Sequence, residues 1–310
     1  MCAAPGKPPT PLSESAHPRT FRTNTFVYPV LSRRSGGVSV GVNLNPDKAC
    51  NFDCIYCQVD RSKKPPEVFV QLDPFEAELR GVLEGLKPGG WLWSEPEFAS
   101  LPEAKRRVTD IAFSGDGEPT TFRNFSEVVR RAVGVKEVLG FGAAKTVLIT
   151  NATGLDRPDV QTGLALMDTH NGEIWAKLDA GTEAYFKTID RTDFPLARVL
   201  GNILSCARVR QIVIQSCFMR LNGIGPSDAE ISAYISRLNE LKQGGAKIAR
   251  VQVYTVARNP AYGMVSSLPD GEVDRIAARV RQDAGLPAES FYGSVPEGRG
   301  TLAKDPDSNG

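Results

Sequence analysis

The sequence predicts an α/β fold, a parallel sheet covered by helices, and three observations carry that prediction. Short β-branched or apolar runs alternate with amphipathic stretches along most of the chain, the pattern that builds parallel strands joined by crossover helices. Glycine and proline are abundant, 29 and 22 of 310 residues, as many tight connections between short elements require. Apolar residues make up 41% and charged residues 24%, enough to bury a sizeable core, which excludes disordered, collagen-like and disulfide-stapled chains. The length does not force two domains, because α/β barrels reach roughly 250 residues as one unit.

The predicted strands are 38–44, 109–114, 145–150, 173–178, 210–215 and 250–255. Helix starts are marked in the segments between them. Asp73-Pro74-Phe75-Glu76 combines an N-cap, a proline at the first helical position and a Glu at the third, and the helix should run to Leu86. Ser227-Asp228-Ala229-Glu230 is a second capping box; Ile231, Tyr234, Ile235, Leu238 and Leu241 then recur at helical spacing up to Gly244-Gly245. A further helix spans 272–283, with Gly285 beyond its end. Residues 88–102, which hold two of the three tryptophans, read as an insertion rather than a core element. Both ends are polar, proline-rich or aperiodic, so the chain divides into a flexible N-terminal tail (1–27), a core (28–262) and a C-terminal helix and tail (263–310).

The formal charge of +1, from 37 basic and 36 acidic residues, gives no global field toward nucleic acid or anionic lipid, so any such binding is local. No apolar run approaches the roughly 18 residues of a membrane span, and the N-terminus has no apolar signal-peptide stretch, so a cytoplasmic protein is expected. The six cysteines are too few for a disulfide scaffold, and a cluster of thiols in a reducing compartment points to metal or redox chemistry.

Cys50, Cys54 and Cys57 form a C-x3-C-x2-C cluster directly after the first predicted strand. Three thiolates so close in sequence can wrap one inorganic cluster without long-range help. Zinc is the competitor, but a closed zinc site wants four ligands, and neither His17, His170 nor another cysteine pair sits at zinc-ribbon spacing. A [4Fe-4S] cluster held by three cysteines leaves one iron open to a substrate or cofactor. Cys2, Cys206 and Cys217 complete no second C-x-x-C set; Cys206 and Cys217 read as buried packing residues.

The second predicted strand runs into Phe113-Ser114-Gly115-Asp116-Gly117-Glu118-Pro119-Thr120, where two glycines permit close backbone approach and Glu118 supplies an acceptor. Asn151 ends the third strand, and Lys177 and Asp179, two apart and so on one face, end the fourth. An internal salt bridge is the alternative for that last pair. Gln215-Ser216 and Gln252-Val253-Tyr254-Thr255 end the fifth and sixth strands and could line the same mouth.

The cysteine triplet, with aromatic Tyr56 just before its third member, resembles the signature of the radical S-adenosylmethionine superfamily. That resemblance implies a partial (β/α)6 barrel of TIM type. It also implies a [4Fe-4S] cluster on Cys50, Cys54 and Cys57, with S-adenosyl-L-methionine (SAM) chelating the fourth iron through its amine and carboxylate. One-electron reduction by an external donor such as a flavodoxin or ferredoxin would then yield a 5′-deoxyadenosyl radical that abstracts a substrate hydrogen. Gly115, Asp116, Gly117 and Glu118 resemble the superfamily's glycine-glycine-glutamate segment, which receives the methionine amine, with Asp116 replacing a small residue. By the same analogy Tyr56 and Asn151 belong to the cofactor site, while Lys177 and Asp179 face substrate or ribose and are the catalytic candidates.

Leu31-Ser32-Arg33-Arg34, Gly41-Val42-Asn43-Leu44, the cysteine segment, the Gly115–Glu118 segment, Lys177-Leu178-Asp179-Ala180 and Val253-Tyr254-Thr255-Val256-Ala257-Arg258 together resemble the branch grouped with wyosine-type, tRNA-modifying radical enzymes. The likeness runs from about residue 28 to about 262. It makes an RNA base the first guess for substrate, although only Cys2 precedes the triplet, where wyosine-forming enzymes carry extra cysteines for a second cluster. Arg33, Arg34 and Lys63 bracket the cluster loop as a basic rim that could grip RNA phosphates. A peptide- or small-molecule-modifying radical enzyme, and a noncatalytic Fe-S or zinc protein, are the alternatives.

Overall fold

The computed structural model describes residues 12–14, 19, 21–61, 69–296 and 298. Cys2, His17, Lys63 and 304–310 lie outside them. The chain runs β1 (Val27–Ser32), β2 (Gly37–Val42), α1 (Leu72–Gly85), α2 (Pro96–Ala99), β3 (Val108–Phe113), α3 (Phe125–Val138), β4 (Lys145–Thr150), α4 (Pro158–Asp168) and β5 (Gly172–Lys177). It continues through α5 (Glu183–Asp190), α6 (Leu196–Val209), β6 (Ile212–Cys217), β7 (Met219–Leu221), α7 (Asp228–Gln243), β8 (Ile248–Tyr254), β9 (Val265–Ser267), α8 (Asp270–Arg279) and β10 (Ala288–Phe291).

One sheet takes the order β1-β2-β3-β4-β5-β6-β8-β10. Every neighbouring pair in it is parallel except β1 with β2. The strands at its two ends do not pair with each other, so this is a partial barrel of TIM type rather than a closed one. β7 and β9 form a separate antiparallel pair.

The six predicted strands are all present, and two more join them. β1 carries Pro29, which can sit in a sheet because β1 is an edge. β10 pairs with β8 and extends the sheet beyond residue 262. β6 lies two residues further on than its apolar run suggests, so Gln215 and Ser216 are inside the strand rather than at its end. Gln215 Nε2 donates to Gln252 Oε1 at 2.7 Å, and this buried pair bridges β6 and β8.

Helix ends are corrected in detail. α1 starts at Leu72 with Gln71 at the N-cap, so Asp73 is not the cap. Asp73 instead sits in the first turn, where negative charge favours the helix dipole, and ion-pairs with Arg131 of α3 at 2.6 Å. Ser227 does cap α7, accepting from the Glu230 amide. The reciprocal half of that capping box is absent, because Glu230 reaches away to the Gly181 amide at 2.6 Å and the Thr182 hydroxyl at 2.6 Å. Gly285 lies beyond the helix end, as expected, and takes the left-handed conformation there, while α8 itself begins at Asp270 rather than Glu272. Segment 88–102 is more than an insertion: a short 3-10 turn (Trp91–Ser94) and α2 bury Leu92 and Phe98 completely, since the flank of α1 needs an apolar cover.

Strand alternation divides side chains between two cores. Ile111, Phe113, Leu148, Ile174 and Ile214 face the helices and join the large core. Ala112, Val147, Trp175 and Val213 pack together on the inner face of the half-barrel. The same inner row carries Tyr28 of β1, Ser39 of β2, Asp110 of β3, Lys177 of β5, Gln215 of β6 and Tyr254 of β8, all of which line one cavity.

Candidate functional site

The cysteine loop follows β2 at the C-terminal end of the parallel strands, where α/β barrels build their sites. Its path is fixed by backbone bonds to three other parts of the fold. The Asp53 and Ile55 amides donate to the Asp190 and Ile189 carbonyls at 3.1 and 2.9 Å, meeting the otherwise unpartnered last turn of α5. The Ala261 amide, in the segment after β8, donates to the Cys57 carbonyl at 2.7 Å. The Glu118 amide donates to the Ala49 carbonyl at 3.4 Å.

Gly117 explains that last approach. A Cβ there would stand 1.9 Å from the Ala49 carbonyl oxygen, so only glycine lets the segment after β3 lie on the cysteine loop. Gly115 has φ +155°, and a Cβ on it would come within 2.5 Å of Asn43 Oδ1. Both glycines are therefore needed for loop-to-loop packing. Asp116, between them, lines the cavity with its carboxylate already engaged: it accepts from Arg19 Nη1 at 2.7 Å and from Asn43 Nδ2 at 2.7 Å.

Cys50, Cys54 and Cys57 all line the same cavity of about 270 Å³. Cys57 Sγ accepts from Arg61 Nη1 at 3.1 Å, and Arg61 Nη2 also donates to the Asp116 carbonyl at 3.0 Å. Burial pushes the Cys57 thiol up, but the charge and hydrogen bond of Arg61 outweigh it and the net shift is downward. Cys50 and Cys54 are raised, chiefly by burial. Cys54 Sγ donates to Asp190 Oδ1 at 3.2 Å; that carboxyl is pushed up to about 8 by burial and then by neighbouring Asp179.

Among the described residues, no three His, Cys, Asp or Glu side chains converge as ligands of a single metal ion. A four-iron cluster sets a different demand, because each of its cysteines binds a different iron and the sulfurs stand further apart than ligands of one ion. Three cavity-facing thiols, one already held toward thiolate by a guanidinium, are a donor set that fits such a cluster.

Glu118 is buried and ties strand ends together. Its Oε1 accepts from the Thr120 amide (3.1 Å), the Thr120 hydroxyl (2.6 Å) and the Thr150 hydroxyl (2.6 Å). Among the described residues its Oε2 accepts only from the Asn151 amide, at 2.8 Å, which leaves one acceptor position on an oxygen of a cavity-lining residue. Asn151 Nδ2 donates to Asn51 Oδ1 at 2.7 Å, and Asn151 Oδ1 accepts from the Thr153 amide and hydroxyl, so strand end and cysteine loop are clamped.

Lys177 and Asp179 do share a face, 3.9 Å apart, but they differ in access. Asp179 is buried, accepts from the Tyr56 hydroxyl, and accepts from the Cys217 amide at 2.7 Å. It is a structural anchor for Tyr56. Lys177 lines the cavity with its ammonium 4.6 Å from the centre of the Tyr56 ring.

Arg33 and Arg34 are not an outer rim. They sit in the turn between β1 and β2 and line the cavity from within, the Arg34 guanidinium lying 5.2 Å from the Trp175 ring and 5.3 Å from that of Tyr254. Arg19, Asn51, Asp190 and Arg258 complete the surroundings without having been singled out as site residues. Asn51 carried a signal, adjacency to Cys50, whereas Asp190 is brought to Cys54 only by the fold.

No family model matches the chain. Among curated proteins it is 25% identical over 242 residues to a UPF0026 protein of Helicobacter pylori, covering 76% of this chain and 67% of that one. It is 23% identical over 274 residues to the GTPase Obg of Brachyspira hyodysenteriae, covering 87% of this chain but 35% of that protein. The chain thus spans about a third of that relative's length, and within these 310 residues there is no G-x-x-x-x-G-K-[ST] phosphate loop. Among solved structures it matches Streptococcus suis SuiB bound to S-adenosylmethionine with a TM-score of 0.55 at 12% identity, covering 84% of this chain and 52%, about half, of SuiB. The half-barrel therefore shares its fold with SuiB. No helix among the described residues is long and apolar enough to cross a membrane.

Proposed function

We propose that this protein is a radical SAM enzyme in which Cys50, Cys54 and Cys57 hold a [4Fe-4S] cluster and the 5′-deoxyadenosyl radical abstracts a hydrogen from a substrate still to be identified. The observation that carries the reading is one of placement. The three thiols of the C-x3-C-x2-C segment open into the same cavity as the free acceptor position of Glu118 and the strand end at Asn151. A metal knot serving only stability has no need of that furnished mouth.

When bound, the cluster and SAM would supply one-electron cleavage of the sulfonium and so a primary carbon radical. The chain supplies the setting. Arg61 holds Cys57 toward thiolate, and Asp190 is the acceptor nearest the Cys54 proton when that thiol ionises. Glu118 Oε2 offers a carboxylate oxygen to an ammonium group, and the second N–H of Asn151 Nδ2 is left to donate to a carboxylate or ribose oxygen. Lys177 and Tyr56 bound the floor of the cavity, and the inner row of Ala112, Ile149 and Trp175 excludes water from a reactive radical. The electron donor is a cytoplasmic flavodoxin or ferredoxin in this reading.

Metal analysis tests the donor set directly. Anaerobic reconstitution should load about one four-iron cluster per chain, and Cys54→Ala should lose it. A stoichiometry of one zinc with neither iron nor sulfide would exclude the reading.

A further inference from the structure

The charges facing the cavity do not balance, and the imbalance is local. Each carboxylate that lines it already has partners. Glu14 pairs with Lys105 at 2.5 Å, Asp110 accepts from Ser39 and Thr109, Asp116 from Arg19 and Asn43, and Glu118 from Thr120, Thr150 and Asn151. On the cationic side, Arg19 is matched to Asp116, Arg61 to Cys57 and Lys177 to Asp179. Arg33, Arg34 and Arg258 are left over. All three line the cavity, and among the described residues none has a carboxylate within ion-pair distance.

These guanidinium groups also crowd one another. Arg258 is brought down to about 10 by burial and then by Arg19, Arg34 and Arg33; Arg33 and Arg34 are lowered, chiefly by burial. Collecting like charges in a partly dry space is unfavourable unless an anion completes it. The Arg34 guanidinium against Trp175 and Tyr254 adds a flat, aromatic-backed surface beside the charges.

We infer that Arg33, Arg34 and Arg258 form an anion subsite and that the substrate is a small molecule bearing a phosphate or carboxylate group. This deepens the radical SAM reading and rests on it. Arg61, not these three, is the arginine that donates to a cysteine of the triplet, at 3.1 Å from Cys57 Sγ. An RNA backbone would call for arginines on the outer surface, whereas these reach inward from the β1–β2 turn and from the segment after β8.

The test uses the full chain with its cluster reconstituted and SAM present. Inorganic phosphate, a phosphomonoester and a dicarboxylate are titrated separately by calorimetry, in parallel with transfer RNA. At least one of the small anions should bind at a single site, at least tenfold more weakly to Arg33→Gln and to Arg258→Gln, while Arg33→Lys retains part of the affinity. Which anion is preferred tells phosphate from carboxylate recognition. SAM affinity and SAM cleavage without substrate should stay unchanged in these variants, with melting temperatures no lower than the parent's. Anion binding that is absent from the parent, equal in the variants, or competitive with SAM overturns the subsite. So does a salt-dependent loss confined to transfer RNA. Failure of the parent itself to cleave SAM is a different result, because it strikes the radical SAM reading rather than the subsite.

Discussion

The two sides of the cavity are finished to different degrees. On the cysteine side the polar groups are tied to one another, with only single positions left on Glu118 Oε2 and Asn151 Nδ2 among the described residues: Asn51 bonds Asn151, Glu118 takes four donors, Tyr56 bonds Asp179 and Arg61 bonds Cys57. On the arginine side three cations line the same space with no carboxylate among the described residues to match them. The contrast teaches which part of a site must be rigid before a ligand arrives. Under the proposed function, a radical generator would have to hold its cofactor in one geometry, and hydrogen bonds between loops would do that. A substrate subsite can leave its charges exposed to the incoming ligand.

The contrast is broken most severely at Gly117. Gly117→Ala forces a Cβ onto the Ala49 carbonyl, a backbone atom that cannot swing aside, so the cysteine loop must shift. The expected outcome is loss of most cluster incorporation together with a stability loss near the upper end of roughly 1–3 kcal/mol. Iron content and thermal unfolding of the same preparation check it. Unchanged iron content would mean the two loops can separate without cost to the site.

Glu118→Gln comes next and acts on the cofactor rather than the loop. It keeps the shape but removes the charge offered to an ammonium, which should weaken SAM binding ten- to a hundredfold, about 1.5–3 kcal/mol, with the iron content preserved. Equilibrium dialysis with SAM measures it, and parent-like affinity would move the amine to another acceptor.

Tyr56→Phe tests how far the hydrogen-bonded frame contributes to stability. It deletes the hydroxyl donated to Asp179 and leaves that buried carboxylate with the Cys217 amide and the Lys177 ammonium 3.9 Å away. A stability loss of about 1.5 kcal/mol is expected from denaturant midpoints, with the fold intact.

Glu127→Gln supplies the smallest effect and a control outside the cavity. Hydrogen bonds from Arg130 and Arg131 bring the Glu127 carboxyl down to about 2 from 4.5. A depressed folded value means stability that is present above pH 4.5 and lost as the pH falls toward 2. The parent should exceed the variant slightly at neutral pH and converge with it near pH 2, and added salt should shrink the gap because the pair is exposed. Urea titrations across that pH range would show it.

Much of the architecture was legible because period and punctuation agree: all six predicted strands exist, and Ser227 and Gly285 do what their residue types suggest. The edge strand β1 was hidden by its own Pro29, and β10 by four residues of mixed character, AESF, whose pairing with β8 only the tertiary fold reveals. At the site, the spacing of Cys50, Cys54 and Cys57 and the strand ends at Glu118 and Asn151 were readable, since short-range sequence places them. What could not be read is direction. Arg33 and Arg34 look like a surface pair in one dimension, and only the turn between β1 and β2 aims them inward. Asp190 is 136 residues from Cys54, and no local pattern announces their hydrogen bond.

The central claim is tested most directly by incubating the anaerobically reconstituted, reduced protein with SAM and following the products by chromatography. The account predicts methionine and 5′-deoxyadenosine in equal amounts, dependent on reductant and absent from Cys54→Ala. Intact SAM after full cluster loading and reduction, in the parent protein, would contradict it.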